Sequence, residues 1–437
     1  MLKHKISIFF LLVSQILIAQ NIKKCNTTFL VNQEIQLNEE YLENREKIIK
    51  ENKLWIDQNN NNKRSSIIVP IVVHVIYRTN HTNIGSGTNI SDARILDAIR
   101  ILNEDYSKTN PEFPNPPRNT FLNYSGNPNL EFCLATIDPN GNNTTGITRT
   151  VSTKTNFDPD NEANDMKRNN TGGKDGWDPS KYLNIWVCDL AVSASGGMTL
   201  GYAYLPGLPS WQNWKDGLVV DFQWFGTIQG ASGDSRTATH EIGHYLGLNH
   251  TFCESQSGGC CDNDNNNVDD TPATDGVYWG SVNNTTNNNT CNDLSYGFNS
   301  DLLDMDENYM SYSQNTWMFT NSQVNVMNAT LNGYRSSLIN SNVTSNCSGT
   351  VGIENILNNN QIRIYPNPTE GRLFIQNMTL TETQSIIVRN ILGTSVKNIS
   401  TNKNIFNLNI SDLENGIYFI EISTKLGKRI EKIILAK

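Results

Sequence analysis

The chain has 437 residues, 37% of them hydrophobic, and its 34 Lys+Arg against 43 Asp+Glu leave a net charge of −9. That length exceeds one ordinary domain, and the acidic balance argues against nucleic acid and anionic membranes as partners. Eight cysteines and six histidines are few enough for their positions to carry information.

Residues 1–20 set a cationic MLKHK before the apolar run ISIFFLLVSQILIA, the layout of a secretory signal peptide. The run is too short to span a bilayer comfortably and no later stretch is longer, so no stable membrane insertion is expected. Residues 21–64 are charged and helix-prone, contain a single cysteine, Cys25, and end in an asparagine-rich tract at Lys63-Arg64. They read as a propeptide with an exposed processing site at Arg64. The run SSIIVPIVVHVIY then opens a region reaching to residue 340, in which His74 is expected to be a sheet histidine rather than a ligand. Cys133 and Cys188 lie in apolar strand-like runs that allow either a bridge between them or simple burial. Residues 65–352 hold 14 Lys+Arg against 29 Asp+Glu, so the acidity is concentrated there; it favours cationic peptide segments and bound calcium.

The stretch HEIGHYLGLNH, His240 to His250, contains half of the histidines of the chain. RTATHEIGHYLGL has helix formers and apolar residues at helical spacing. His240 and His244, four apart, share a helix face. On an unbroken helix His250 would lie about 15 Å from His240, so the helix must stop and the chain must turn back at Gly247, where positive φ is tolerated. Three imidazoles then converge as ligands of one zinc ion, leaving a fourth position for water. Glu241, on the neighbouring side of the helix, is placed as the general base that takes the water's proton and passes it to a leaving amine. The spacing H-E-x-x-H-x-x-G-x-x-H is far more specific than H-E-x-x-H alone.

Downstream, CDNDNNNVDDTP (Cys261 to Pro272) is rich in the hard oxygen donors that calcium takes, without the spacing of an EF-hand. Cys253, Cys260, Cys261 and Cys291 crowd this region, in keeping with an oxidising compartment. Residues 341–352 read as a linker. From 353 to 437, short alternating strands separated by Gly, Pro, Asn and Asp turns imply a small all-β sandwich.

The long histidine motif is that of the metzincin metallopeptidases, and ENYMSY (Glu307 to Tyr312) resembles their Met-turn. HTFCESQSGGCCDN, VDDTPA and NYMSYSQNTWMFTNSQ, with the upstream words LEFCLATIDPNGNNTTGITRT, YLNIWVCDL and LGYAYLPG, resemble the bacterial, cytophagalysin-like branch of the pappalysin family over residues 65 to 340. The resemblance implies an α+β catalytic domain with a twisted mixed sheet, an active-site helix, and a lower part ending in a helix after Phe319. It implies Met310 as an apolar floor beneath the metal and Tyr312 as a residue that hydrogen-bonds the tetrahedral intermediate or approaches the zinc. GYAYLPG would be the rim strand that pairs with extended protein or peptide substrates. Asn266, Val268 (through its carbonyl), Asp270 and Thr271 are implied as calcium ligands, and two disulfides as staples between the zinc helix and the Met-turn. Trp317 stands about where relatives have a further cysteine. KKCNTT resembles the cysteine switch of such precursors, which implies that Cys25 occupies zinc in a latent zymogen; a structural bridge to Cys347 is the alternative. Relatives that prefer arginine at P1′ carry an acid a few residues past the Met-turn. Ser313-Gln314-Asn315 stands there, which predicts a broader tolerance. YPNP and GIYFIEI resemble the sorting domain of the type IX secretion machinery, implying export across the outer membrane. The function expected is a secreted zinc endopeptidase; the alternative is a zinc-holding adhesin or pseudoenzyme whose C-terminal sandwich binds.

Overall fold

The structure, a computed structural model, describes residues 21–437 except 23, 60–65, 193–196, 255–258, 261–266, 345–361, 378–383, 391–393, 402, 404 and 425–426. The signal peptide, Arg64, Asn266 and most of the linker thus lie outside the described residues.

A short strand β1 (Asn21–Ile22) leads to helices α1 (Thr27–Leu37) and α2 (Glu39–Asn59). The main sheet is built from β2 (Ile67–Arg78), β3 (Leu130–Leu134), β4 (Ile147–Ser152), β5 (Leu183–Cys188), β7 (Gly201–Ala203) and β8 (Leu218–Asp221), with a two-residue β6 (Gly197–Met198) beside β1. Its order is β3-β2-β5-β8-β7, with β4 continuing the β3 side of the long β2. All pairings are parallel except β7 with β8, so the sheet is mixed. Strand β2 is apolar on both faces (Val69, Ile71, Val72, Val73, Val75 and Ile76 all buried) because it is central. His74 fits between its neighbours by bonding Thr148 Oγ1 at 2.7 Å and Asn184 Oδ1 at 3.0 Å.

Helix α3 (Asp92–Tyr106) starts at Ser91, whose side chain accepts from Arg94 N, and buries Ile95, Ala98, Ile99, Leu102 and Tyr106 at helical spacing. Helix α4 (Arg236–Tyr245) carries the histidine motif and packs on β7, β8 and α3. Helix α5 (Asn321–Asn332) begins with a capping box between Thr320 and Gln323; a single turn, α6 (Ser336–Ile339), follows. One hydrophobic core joins α3, α4 and α5 to the sheet.

The tail forms two antiparallel sheets. Strands β9 (Ile362–Tyr365), β10 (Arg372–Asn377) and β13 (Ile405–Asn409) make one, and β11 (Gln384–Asn390), β12 (Ser395–Thr401), β14 (Gly416–Thr424) and β15 (Gly427–Leu435) the other. Leu373, Ile375 and Leu408 of the first pack with Ile386, Val388, Ile420 and Ile433 of the second, a sandwich core. The fold class is thus α+β followed by an all-β sandwich.

Candidate metal centre and cleft

Helix α4 ends at Tyr245 with Leu246 as its cap, and Gly247 follows at φ +101°, where a side chain would be strained. The chain turns back there and brings His250 to the other two histidines. The Nε2 atoms of His240, His244 and His250 lie 3.0–3.1 Å from one another. Each Nδ1 is held from outside: His240 by Tyr309 O, His244 by Leu248 O, and His250 by Glu254 Oε1, each at 2.7 Å. An Nδ1 that donates to a carbonyl or carboxylate leaves its Nε2 lone pair pointing inward. Three lone pairs facing one point repel unless a cation lies between them. Burial first, and the neighbouring imidazoles next, hold His240 and His244 well below the usual histidine range, so both are neutral donors.

A fourth ligand atom completes the group: Cys25 Sγ and the three imidazoles offer donors all within 4.8 Å of one another. Cys25 is a free, buried thiol rather than part of a bridge to Cys347. It is positioned by backbone pairing. Cys25 bridges Gly201 in parallel on the open edge of β7, Leu200 N donates to Lys24 O at 3.0 Å, and Asn26 N donates to Gly201 O at 3.2 Å. The rim strand GYAYLPG therefore has its edge covered by residues 24–26 of its own chain.

Glu241 is fully buried; its Oε2 accepts from Cys25 Sγ and from Thr27 Oγ1, both at 3.3 Å, and its Oε1 has no partner. Burial raises its pKa to about 8, against the pull of those two donors. The Tyr312 hydroxyl donates to the Cys25 carbonyl at 3.3 Å, and its ring lies 5.1 Å from that of His250. Met310 is completely buried. Its turn is tied down on three sides: Met310 N donates to Asn308 Oδ1, Asn308 Nδ2 donates to Gln323 of α5, and the Tyr309 hydroxyl donates to Asp105 of α3 at 2.6 Å. A Cβ at Gly243 would come 2.4 Å from Met310 Sδ, so the glycine lets the methionine lie directly beneath the motif in its present conformation.

Val268 and Thr271 are buried, and Asp270 lies against the start of α5. Asp270 Oδ2 accepts from Ser322 N at 2.9 Å, while its buried Oδ1 has no partner. Cys260 and Cys291 form a disulfide, and Cys133 and Cys253 are each disulfide-bonded as well. Cys188 is free and buried, so the bridge between Cys133 and Cys188 that their strands allowed does not form. Trp317 fills its site as core, edge-on to Phe113. Sequence reasoning missed Thr27, Glu254 and Gly243. Glu254 carried a signal, an acid four residues past a ligand histidine; the other two depend on contacts from far along the chain.

Residues 166–332 match the family model described as Pregnancy-associated plasma protein-A, and residues 363–436 match the Secretion system C-terminal sorting domain. Mature mirolysin of Tannerella forsythia in complex with a cleaved peptide is 35% identical, with a TM-score of 0.55, over 65% of this chain and 100% of that one. A promirolysin mutant from the same organism is 31% identical, with a TM-score of 0.61, and its match extends to 74% of this chain and all of its own. An extracellular metalloprotease of Pyricularia oryzae is 28% identical over 48% of this chain, which spans 58% of that relative's length. These likenesses favour the protease over the adhesin, and the tail marks an exported protein. No described helix is long and apolar enough to cross a membrane. The chain belongs to the pappalysin family of extracellular metallopeptidases.

Proposed function

We propose that this chain is a zinc-dependent endopeptidase made as a latent precursor, in which residues 21–64 close the active site and residues 353–437 address the chain to the type IX secretion machinery. The observation that carries it is the set of three inward Nε2 atoms 3.0–3.1 Å apart, with Glu241 Oε2 3.3 Å from the Cys25 sulfur beside them. Tetrahedral zinc with bonds of about 2.0–2.1 Å would ask for donors about 3.3 Å apart, so the histidines fit that ion closely. Bound zinc would supply a Lewis acid and lower the pKa of a coordinated water.

The roles of the side chains follow. His240, His244 and His250 would hold the metal, with Nδ1 contacts that fix their rings. Cys25 stands where the water must come, so a precursor with the thiolate in place has no nucleophile. When residues 21–64 leave, a water at the sulfur's position lies within reach of Glu241. Glu241 takes its proton as the water attacks the peptide carbonyl, then delivers it to the leaving amine. Tyr312, which donates to the Cys25 carbonyl in the precursor, is placed to donate to the substrate oxygen as it becomes negative. Met310 supports the ligands from below. The edge of β7 released by residues 24–26 offers main-chain hydrogen bonds to an extended substrate. Calcium near Val268, Asp270 and Thr271 is supported by the unpaired Asp270 Oδ1, an oxygen that a cation would satisfy.

The test is peptide hydrolysis by the secreted product. Chelation should abolish it and added zinc restore it. Glu241→Ala should keep zinc and lose about 10²–10⁴-fold in kcat, the usual contribution of a general base. Near-normal turnover by that variant would overturn the assignment.

A further inference from the structure

In the precursor, α1 fills a cleft that begins at the metal position. Its Thr28, Val31 and Ile35 line one pocket with Leu205, His244 and His250. Glu241, which must hand a proton to the leaving amine, lines a different pocket, shared with Lys24. Lys24 precedes Cys25 in the chain and α1 follows it. Helix α1 therefore covers the acyl side of the cut bond, where the part of a substrate N-terminal to the cut must lie.

One contact of α1 with the catalytic domain is an ion pair. Glu34 Oε2 lies 2.8 Å from Lys215 Nζ, and the two side chains are only 7% and 14% exposed. Lys215 ends a short 3-10 helix, Ser210–Lys215, and its backbone is tied down, because its carbonyl accepts from the fully buried Lys167 Nζ at 2.6 Å. The Lys215 and Lys167 ammonium groups lie 5.8 Å and 5.1 Å from the centre of the Tyr204 ring, and Trp214 flanks Lys215 at 5.9 Å. Asp216, next in the chain, is engaged through both oxygens by Arg335, at 2.6 and 3.0 Å. Among the described residues, Glu34 is the one carboxylate in ion-pair contact with Lys215. Two ammonium groups thus share one such carboxylate, and it belongs to the segment that leaves.

Release of residues 21–64 strips Lys215 of its counter-charge. A cation walled by aromatic rings and a second ammonium is poorly served by water alone, so a carboxylate arriving with the substrate is favoured there. Its position follows from α1. Thr27 Oγ1 is 3.3 Å from Glu241, and Glu34 lies farther along the same helix by about 10 Å, at 1.5 Å per residue. An extended substrate covers that distance in about three residues, which places the acid at P3 or P4.

We propose that the mature enzyme carries an acid-reading subsite on the acyl side of its cleft, in which Lys215 pairs with a glutamate or aspartate at P3 or P4 of the substrate. Glu34 is the stand-in for that residue in the precursor. The proposal rests on the endopeptidase function above and on the departure of residues 21–64.

The test uses the secreted, zinc-loaded enzyme after removal of residues 21–64. Quenched peptides of one neutral sequence carry a single Glu, Gln or Lys at each position from P6 to P2 and from P2′ to P6′. They are compared by kcat/KM, with each cut located by mass. Glu at P3 or P4 should exceed Gln about five- to tenfold, mostly through KM, and Lys there should fall below Gln. Lys215→Gln should erase the preference for Glu. Lys215→Glu combined with Glu34→Lys restores an ion pair in the precursor, which protects folding, and should invert the preference to Lys at the same position. A lysine that only supported the fold would not invert it. No acid preference at P3 or P4, an acid preference confined to the amine side, or one that survives Lys215→Gln would overturn the proposal while leaving the endopeptidase standing. Failure to cut any peptide would overturn both.

Discussion

Helices α4 and α2 are held in place in opposite ways. In α4 every residue from Ala238 to Tyr245 is buried, and its surroundings constrain it from all sides: Tyr106 donates to Thr239 O, Asp105 accepts from Thr239 Oγ1, and Met310 presses on Gly243. Helix α2 is 21 residues long but buries only Tyr41, Ile48, Asn52 and Ile56, a single stripe. Its outer face is lined with i,i+4 pairs, Lys47–Glu51, Glu46–Lys50 and Lys53–Asp57, which support a helix from within. The element that aims the metal ligands is held on every side, whereas α2, which packs on α1 and α5, is attached along one line and largely stabilises itself. That is a sound design for a part proposed to be discarded.

This contrast can be broken at several places, beginning where the largest effect is expected. Glu254 orients His250 through a 2.7 Å contact, and loss of such a partner usually costs about 10–100-fold in metal affinity. Glu254→Gln should therefore weaken zinc binding by that order in a competition titration; an unchanged affinity would mean that His250 needs no such support. Gly243→Ala sets a methyl 2.4 Å from Met310 Sδ, and overpacking of this kind costs about 1–3 kcal/mol. Calorimetry should show a lowered Tm, and an unaltered one would show that the methionine can yield. On α2, Lys53→Ala removes an exposed 3.0 Å pair with Asp57 and should change stability by no more than about 0.5 kcal/mol. A larger loss would mean that α2 is integral to the enzyme rather than laid upon it.

How much of this was legible in the sequence depends on how local the cause is. The turn at Gly247 and the convergence of His240, His244 and His250 follow from helix geometry and bond lengths within eleven residues, His240 to His250, and so could be written down beforehand. The β-sandwich tail was legible for the same reason, since alternation with turn residues is a short-range signal. Gly243 was not, because its reason is Met310, brought underneath by the fold. Nor was the pocket that Lys24 lines: Asp234 precedes α4 and Ser313 follows Met310, and only packing brings them to one pocket. Cys133 and Cys188 show the limit from the other direction. Both looked like buried strand cysteines, and nothing local said that one is bridged and the other free.

The central claim is that Cys25 closes a three-histidine zinc site, and X-ray absorption at the zinc edge tests it without relying on activity. The Glu241→Ala precursor, which cannot process itself, is loaded with zinc and compared with the same chain carrying Cys25→Ala. The account predicts three nitrogen neighbours at about 2.0–2.1 Å and one sulfur at about 2.3 Å in the first, with the sulfur replaced by oxygen in the second. A precursor whose zinc has no sulfur neighbour would contradict it.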